Sequence, residues 1–406
     1  MPVDSGGAPF LQGLRVLDVT GVLAGPYCTT ILSDLGAEVI KVEPVTGDSM
    51  RRRTMGADDK PLPFDLIHRD KASLAVDLKN PEGREIVRKL AQGSDVFVEN
   101  FRAGALRNVG LGYEDLRGDC PNLVYCSISG FGQFGPMREA KGVDLIAQAY
   151  GGLLSVTGTA DGQLAKAGFP VADVGTGMWG AIGVLAALLR ARAGGGGSYV
   201  DVSLADTVAA WSLWEIADYA STSVTPGPLG TAHRLTAPYQ AFDCADGRPL
   251  VIGAIDRTWP ALCSLLGIDL SGDERFVTEY NRFIHREALA EIVQARFATA
   301  PRDHWIAALN RVGVPCGPVN DIAAVMNDPH FAERGTILRA PERHGEPVMV
   351  NTPVIADGAP RARGRAPELG QDTASLLAEL GYDSARIARL ARDGVIGVST
   401  GANATG

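Results

Sequence analysis

Short, nearly unbroken apolar runs alternate with segments of helical period through the first half of the chain. Leu14 to Val19 reads as a strand, followed by a predicted helix from about Tyr27 to Leu35. Val39 to Val42, Leu74 to Leu78, Asp95 to Glu99 and Leu123 to Ser129 repeat the strand pattern, and Pro81 to Ala91 reads as a helix with its proline in the first turn. Further helices are predicted at Asp144 to Ser155 and from about Thr176 to Ala193, the second stopped by Gly194 to Gly197. Strands alternating with helices at this spacing predict an α/β fold with a parallel sheet.

After that glycine run the pattern changes. Tyr199 to Ser203 reads as a strand, and Leu204 to Tyr219 as a helix holding Trp211 and Trp214. Ser221 to Gly230 has the composition of a linker or loop, residues 237–325 form a compact run of strand, helix and turn, and a last helix is predicted near Asp372 to Leu380. At 406 residues the chain is long enough for two domains, or for one domain with a large insertion.

A net charge of −9 argues against a general nucleic-acid binder or an anionic-membrane binder, so a polyanionic ligand has to meet a local basic cluster. The N-terminal segment has neither a basic stretch nor an apolar core of the secretory kind, and the apolar run Met178 to Leu189 is too short to span a bilayer. Six scattered cysteines without a CxxC pair fit reduced thiols in a cytoplasmic protein, with no metal site and no disulfide framework.

Three patterns bear on chemistry. Gly130 to Gly135 satisfies GxGxxG, but Pro136 and a polar stretch follow where a dinucleotide site needs a helix, so a tight turn is expected. The six histidines show no HxxxH or HExxH spacing, and no GxSxG elbow occurs. Asp173, in Pro170-Val171-Ala172-Asp173-Val174-Gly175-Thr176-Gly177, stands just before an apolar helix. It reads as an N-cap aspartate, or as a reactive carboxylate beside glycines that admit a substrate and beside free amides that hold an oxyanion.

Several stretches, in order, resemble the class III coenzyme A transferases, the formyl-CoA transferase and carnitine CoA-transferase family. They include Leu14-Arg15-Val16-Leu17-Asp18, Ala24-Gly25-Pro26, Leu35 to Glu43 (LGAEVIKVE) and Asp77-Leu78-Lys79-Asn80-Pro81. Val98-Glu99-Asn100-Phe101-Arg102, Tyr125 to Gly132, Asp144 to Ala149, Ala172 to Gly177, Val314 to Val319 and Leu380-Gly381-Tyr382 continue the match.

The resemblance implies a large Rossmann-like domain at 1–204 and 327–406, a linker at 205–236 and a smaller α/β domain at 237–326, with two chains interlocked as a homodimer. It implies an acyl-CoA thioester and a carboxylic acid as substrates, with no bound cofactor. Asp173 falls on the family's catalytic aspartate, whose carboxylate attacks the thioester. Lys79, Asn100, Phe101 and Lys141 match positions that line the CoA site, with Val22 and Val76 as apolar neighbours, and Arg107 joins the candidates one position away from a CoA-binding arginine of the family.

Departures narrow the reading. Leu23 stands where the formyl-CoA enzymes carry glutamine, and Asn108 where they carry a CoA-binding arginine, with Arg107 displaced by one. Thr231-Ala232-His233-Arg234 replaces their glycine run, which places His233 and Arg234 among the candidate substrate-binding residues. The related α-methylacyl-CoA racemases, the alternative reading, carry a histidine before the aspartate of the Asp144 segment. Here Val143 occupies that position, which removes a proton-shuttling partner and favours transfer, while Arg234, as a partner for a second carboxylate, points to a dicarboxylic acid such as succinate as donor or acceptor.

Overall fold

The structure, a computed structural model, describes residues 9–53, 62–339, 348–355 and 364–399. Two compact units emerge. The first takes Met1–Leu153, Ala167–Ala217 and Pro329–Gly406, and the second Leu154–Lys166 and Asp218–Asp328.

The first unit is built on a central sheet. Its strands are β1 (Arg15–Val19), β2 (Glu38–Glu43), β3 (Ala72–Val76), β4 (Val96–Glu99), β5 (Val124–Ser129) and β6 (Ser198–Ser203). They lie parallel in the order β3-β2-β1-β4-β5-β6, and the short strand Ile396–Gly397 adds antiparallel to β3. This is the strand order of a doubly wound sheet, whose connections reverse direction between β1 and β4.

Alternate residues of each strand feed two cores. Leu17, Ile40, Leu74, Phe97 and Tyr125 pack on one face with Ile86, Val87 and Leu90 of helix α2 (Pro81–Gln92). Val16, Val39, Val96, Val98, Cys126 and Ile128 pack on the other with α1 (Ala24–Asp34) and α4 (Val171–Arg190). Strands buried on both faces need apolar residues at successive positions, which is why they read as short unbroken runs.

Several predicted bounds shift. The helix expected at 144–155 stops as α3 (Asp144–Tyr150), because Gly151 packs on Val208 and Gly152 has φ +91°. The helix expected from Thr176 begins at Val171, and that expected over 204–219 is broken at Ser212, after α5 (Leu204–Trp211). After Arg190, α4 runs into a π turn over Ala191–Gly195, and Gly194, at φ +83°, breaks the helical path there as expected. The Gly130–Gly135 segment is a turn whose Gly130 lies against the Gly142 backbone, and no helix opens before α3.

The second unit carries the antiparallel strands β7 (Tyr239–Asp243), β8 (Pro249–Gly253) and β9 (Cys316–Pro318). Phe242, Leu250, Ile252, Leu262, Leu289, Phe297 and Leu309 form its core. The buried Arg282 donates to the carbonyls of Ala237 and Phe276 and pairs with Asp256, which satisfies a cation that the core would otherwise exclude.

Candidate active site

In a doubly wound sheet, ligands bind beyond the carboxyl ends of the strands where the order reverses. Here that crevice is bounded by Thr20-Gly21-Val22 after β1 and Asn100-Phe101 after β4. The two segments are tied together: the Gly21 amide donates to Asn100 Oδ1 at 2.9 Å, and Asn100 Nδ2 donates to the Gly21 carbonyl at 2.7 Å. Val22 adopts φ +68°, a conformation that a β-branched side chain rarely takes. Strain of this kind persists only where the surroundings fix the backbone, and it clusters at functional sites.

Buried charges do the fixing. Asp18 accepts from the Thr20 amide and hydroxyl through one oxygen and from Lys71 Nζ, 2.9 Å away, through the other. Lys71 also donates to the Pro26 carbonyl and Thr29 of α1. Lys41 donates to the Thr20 carbonyl and to Asp48 at 3.0 Å. Burial pushes the Asp18 carboxyl up, but Lys71 and Lys41 outweigh it and hold it at about 2. Burial, then the neighbouring Lys71, drives the His68 imidazole well below its usual range. None of these residues was among the sequence candidates. The signal available was a charge inside a buried strand, Asp18 in RVLDV and Lys41 in EVIKVE, which has to find a partner.

Asp173 lies in the first turn of α4. Pro170 is the N-cap and Asp173 the third helical residue, so the N-cap reading of its side chain is corrected. The capping carboxylate comes instead from Asp144 at the start of α3. Its Oδ1 accepts from the amides of Ala172 at 2.9 Å and Asp173 at 3.3 Å, while Oδ2 accepts from Gln148 Nε2 at 2.6 Å. The amides expected to hold an oxyanion are therefore taken, since Val171 and Val174 also donate within the chain, to Phe169 and Pro170.

Among the described residues the Asp173 carboxylate accepts no side-chain or backbone hydrogen bond. Burial, reinforced by the nearby Asp144, raises it to about 6. Gly177, one turn on, closes against the Ala24 carbonyl, where an added Cβ would sit 2.7 Å from the oxygen. That contact docks the start of α4 on the start of α1, two residues beyond Val22.

The other candidates divide. Lys79, Phe101, Arg107 and Lys141 are exposed, and Val22 is 55% exposed. Lys79 lies in the turn after β3, and the Gly130–Gly142 contact brings Lys141 to the end of β5. Val76 is corrected as a side-chain neighbour of CoA: at 1% exposure it belongs to the core around Leu74 and Ile396. His233 and Arg234 lie in the second unit. His233 stacks on Tyr239, and Arg234 donates to the Gly227 carbonyl at 2.9 Å and stands 3.9 Å from Asp218.

A cavity of about 400 Å³ opens beside Arg107, lined also by Glu99, Tyr113, Ser127, Arg138 and Tyr199. Glu99 is buried there. Its carboxyl accepts from the Ser127 hydroxyl and the Phe101 amide, yet burial raises it to about 7. Among the described residues no group of three or more His, Cys, Asp and Glu side chains is placed to hold a metal ion.

The profile of CoA-transferase family III matches residues 11–373. The chain belongs to this family. The succinate–glutarate CoA-transferase of Agrobacterium fabrum is 37% identical over 383 residues, 92% of this chain and 96% of that protein. The succinyl-CoA:glutarate CoA-transferase of Mus musculus is 37% identical over 395 residues, 95% of this chain and 90% of that one. A CAIB/BAIF family protein from Brucella suis superposes with a TM-score of 0.80 at 36% identity, over 92% of this chain and 99% of that one. The enzyme is a CoA-transferase acting on CoA thioesters. In this transferase Val143, at the start of α3, is exposed and carries no proton to exchange.

Proposed function

We propose that this transferase moves CoA between carboxylic acids through covalent intermediates on Asp173. The observation that carries the reading is the Asp173 carboxylate itself, half-buried, unbonded among the described residues and raised to about 6. A carboxylate of raised basicity is a better nucleophile, and at pH 7 about nine-tenths of it is still ionised without help from a base. Its oxygen attacks the thioester carbonyl, the C–S bond breaks, and CoA leaves as thiolate, giving an aspartyl mixed anhydride. The thiolate then attacks the aspartyl carbonyl and releases the donor carboxylate, leaving an aspartyl-CoA thioester. An acceptor carboxylate runs the two steps in reverse.

CoA lies across the crevice between Val22 and Asn100-Phe101 in this reading, with Lys79, Arg107 and Lys141 meeting its phosphates. The relatives named for succinate and glutarate favour a dicarboxylic acid as donor or acceptor. Arg234 is the candidate partner for the second carboxylate, because it stands where this chain replaces the glycine run of the formyl-CoA enzymes and its guanidinium can take a carboxylate through two parallel hydrogen bonds. The exposed Met178, Trp179, Ile182 and Leu189 of α4 support a homodimer that covers them.

By length and composition alone α4 could cross a membrane. Its glycines argue for a core helix, since Gly175, Gly177 and Gly180 press on Trp211, Ala24 and Cys28. Six unpaired cysteines fit a cytoplasmic enzyme.

Product analysis with succinyl-CoA and a panel of free acids tests the reading. Transfer to glutarate or another dicarboxylate is expected. With Arg234→Ala, dicarboxylates should lose about tenfold or more in kcat/KM relative to monocarboxylates. Equal loss for both classes would remove Arg234 from recognition, and no transfer to any acid would remove the proposed reaction.

A further inference from the structure

Asp144 and Gln148 stand one turn apart on α3; Asp144 binds the start of α4, and Gln148 binds Asp144 and the segment that leads to it. Gln148 is fully buried. Its Nε2 donates to Asp144 Oδ2 at 2.6 Å, and its Oε1 accepts from the Ala167 amide at 3.0 Å. Both ends of the amide are thus committed, so the Asp144 carboxylate is held in one orientation. Its other oxygen takes the amides of Ala172 and Asp173, the donors that the helix start would otherwise offer to a nearby carboxylate.

We propose that Asp144, locked by Gln148, is the positioning residue for the nucleophile. It fixes the first turn of α4, and by consuming those two amides it leaves the Asp173 carboxylate without a donor and facing a like charge. A reactive carboxylate gains from both. Hydrogen bonds to its charged form would lower its basicity, and a mobile first turn would lose alignment with the thioester. This rests on the reading of Asp173 as nucleophile.

Other titratable side chains lie on the elements packed against α4. They are Tyr27, Cys28 and Asp34 on α1, Tyr150 on α3, Tyr125 and Cys126 on β5, Tyr199 and Asp201 on β6, and Asp206 on α5. Asp144 adds its like charge to the effect of burial on the Asp173 carboxylate.

The test is the single-turnover rate of adduct formation on Asp173 at saturating acyl-CoA, followed across pH, with KM measured in parallel. Asp144→Ala removes cap and charge, and it should slow the adduct about 100-fold while KM stays within about threefold. Asp144→Asn keeps an acceptor for the two amides and removes the charge, and its Nδ2, set against Gln148 Nε2, also gives up the Gln148 bond. It should recover about tenfold of that loss and move the acidic midpoint to lower pH. Gln148→Leu, which loses the lock but keeps the charge and the amide acceptor, should be slowed less than either, with its midpoint unmoved.

Wild-type rates and an unmoved midpoint in folded Asp144→Asn and Asp144→Ala would overturn the proposal. Should Asp144→Ala fail to fold, an unmoved midpoint in Asp144→Asn overturns it alone. Wild-type enzyme that turns over without any adduct would instead overturn the reading of Asp173 on which the proposal stands.

Discussion

Replacing Glu99 with glutamine should make the enzyme progressively more stable than wild type as pH rises from about 4.5 to about 7. Glu99 closes β4 immediately before Asn100 and Phe101, with its carboxyl buried against Ser127 and the Phe101 amide. Burial, with a smaller contribution from Asp201, raises it from the usual 4.5 to about 7. A carboxyl raised in the folded state contributes stability below its unfolded value and loses it as pH rises through the folded one. The shift corresponds to about 3 kcal/mol between the two limits, and about 2 to 3 kcal/mol of that falls between pH 5 and pH 8.

Glutamine keeps the hydrogen bonds: its carbonyl accepts from the Phe101 amide, and its NH₂ donates to the Ser127 hydroxyl oxygen. Nothing at this position then ionises. Urea unfolding of both proteins at pH 5 and pH 8 measures the effect. The advantage of Glu99→Gln over wild type should grow by about 2 to 3 kcal/mol across that interval. An advantage that is the same at both pH values would show that Glu99 is solvated or charged throughout, and the account of its burial would fail.

Two further outcomes follow from Asp173 and the helix that carries it. With the Asp173 carboxyl at about 6 and required in its ionised form, kcat/KM should fall about tenfold from pH 7 to pH 5. A profile flat down to pH 4.5 would contradict that value. Gly177→Ala places a Cβ 2.7 Å from the Ala24 carbonyl, a backbone atom that cannot rotate away. It should cost about 2 kcal/mol in thermal or urea unfolding and lower kcat more than it raises KM, because the turn carrying Asp173 is displaced.

The sheet was legible because its strands are short apolar runs buried on both faces, and the helices between them carry proline and glycine at their ends. Pro81 and Gly194 mark such ends on α2 and α4. The strand at Ile396–Gly397 was not, since two residues carry no period, and the helix at Ser384–Arg392 announces itself only through its cap, Asp383.

Within the site, Asp173 stood out through the ordered resemblance and not through its own neighbourhood, which reads as readily as a helix cap, and its first turn hid the real capping group, Asp144, 29 residues earlier. No local pattern links those two aspartates. Only the fold brings α3 against α4. Val76 misled for the opposite reason: a valine at the end of a strand reads alike whether it faces a ligand or the core, and here it faces the core. The Asp18–Lys71–Lys41 cluster shows the same limit, since sequence reveals that a charge is buried but not what it meets.

The most direct measurement is mass spectrometry of the enzyme after incubation with acyl-CoA and hydroxylamine. Hydroxylamine cleaves an aspartyl anhydride or thioester and leaves a hydroxamate on the residue that carried it. The account predicts a hydroxamate on the peptide that contains Asp173, formed only when acyl-CoA is present and absent from Asp173→Ala. A hydroxamate on another residue, or full turnover with Asp173 unmodified, would contradict it.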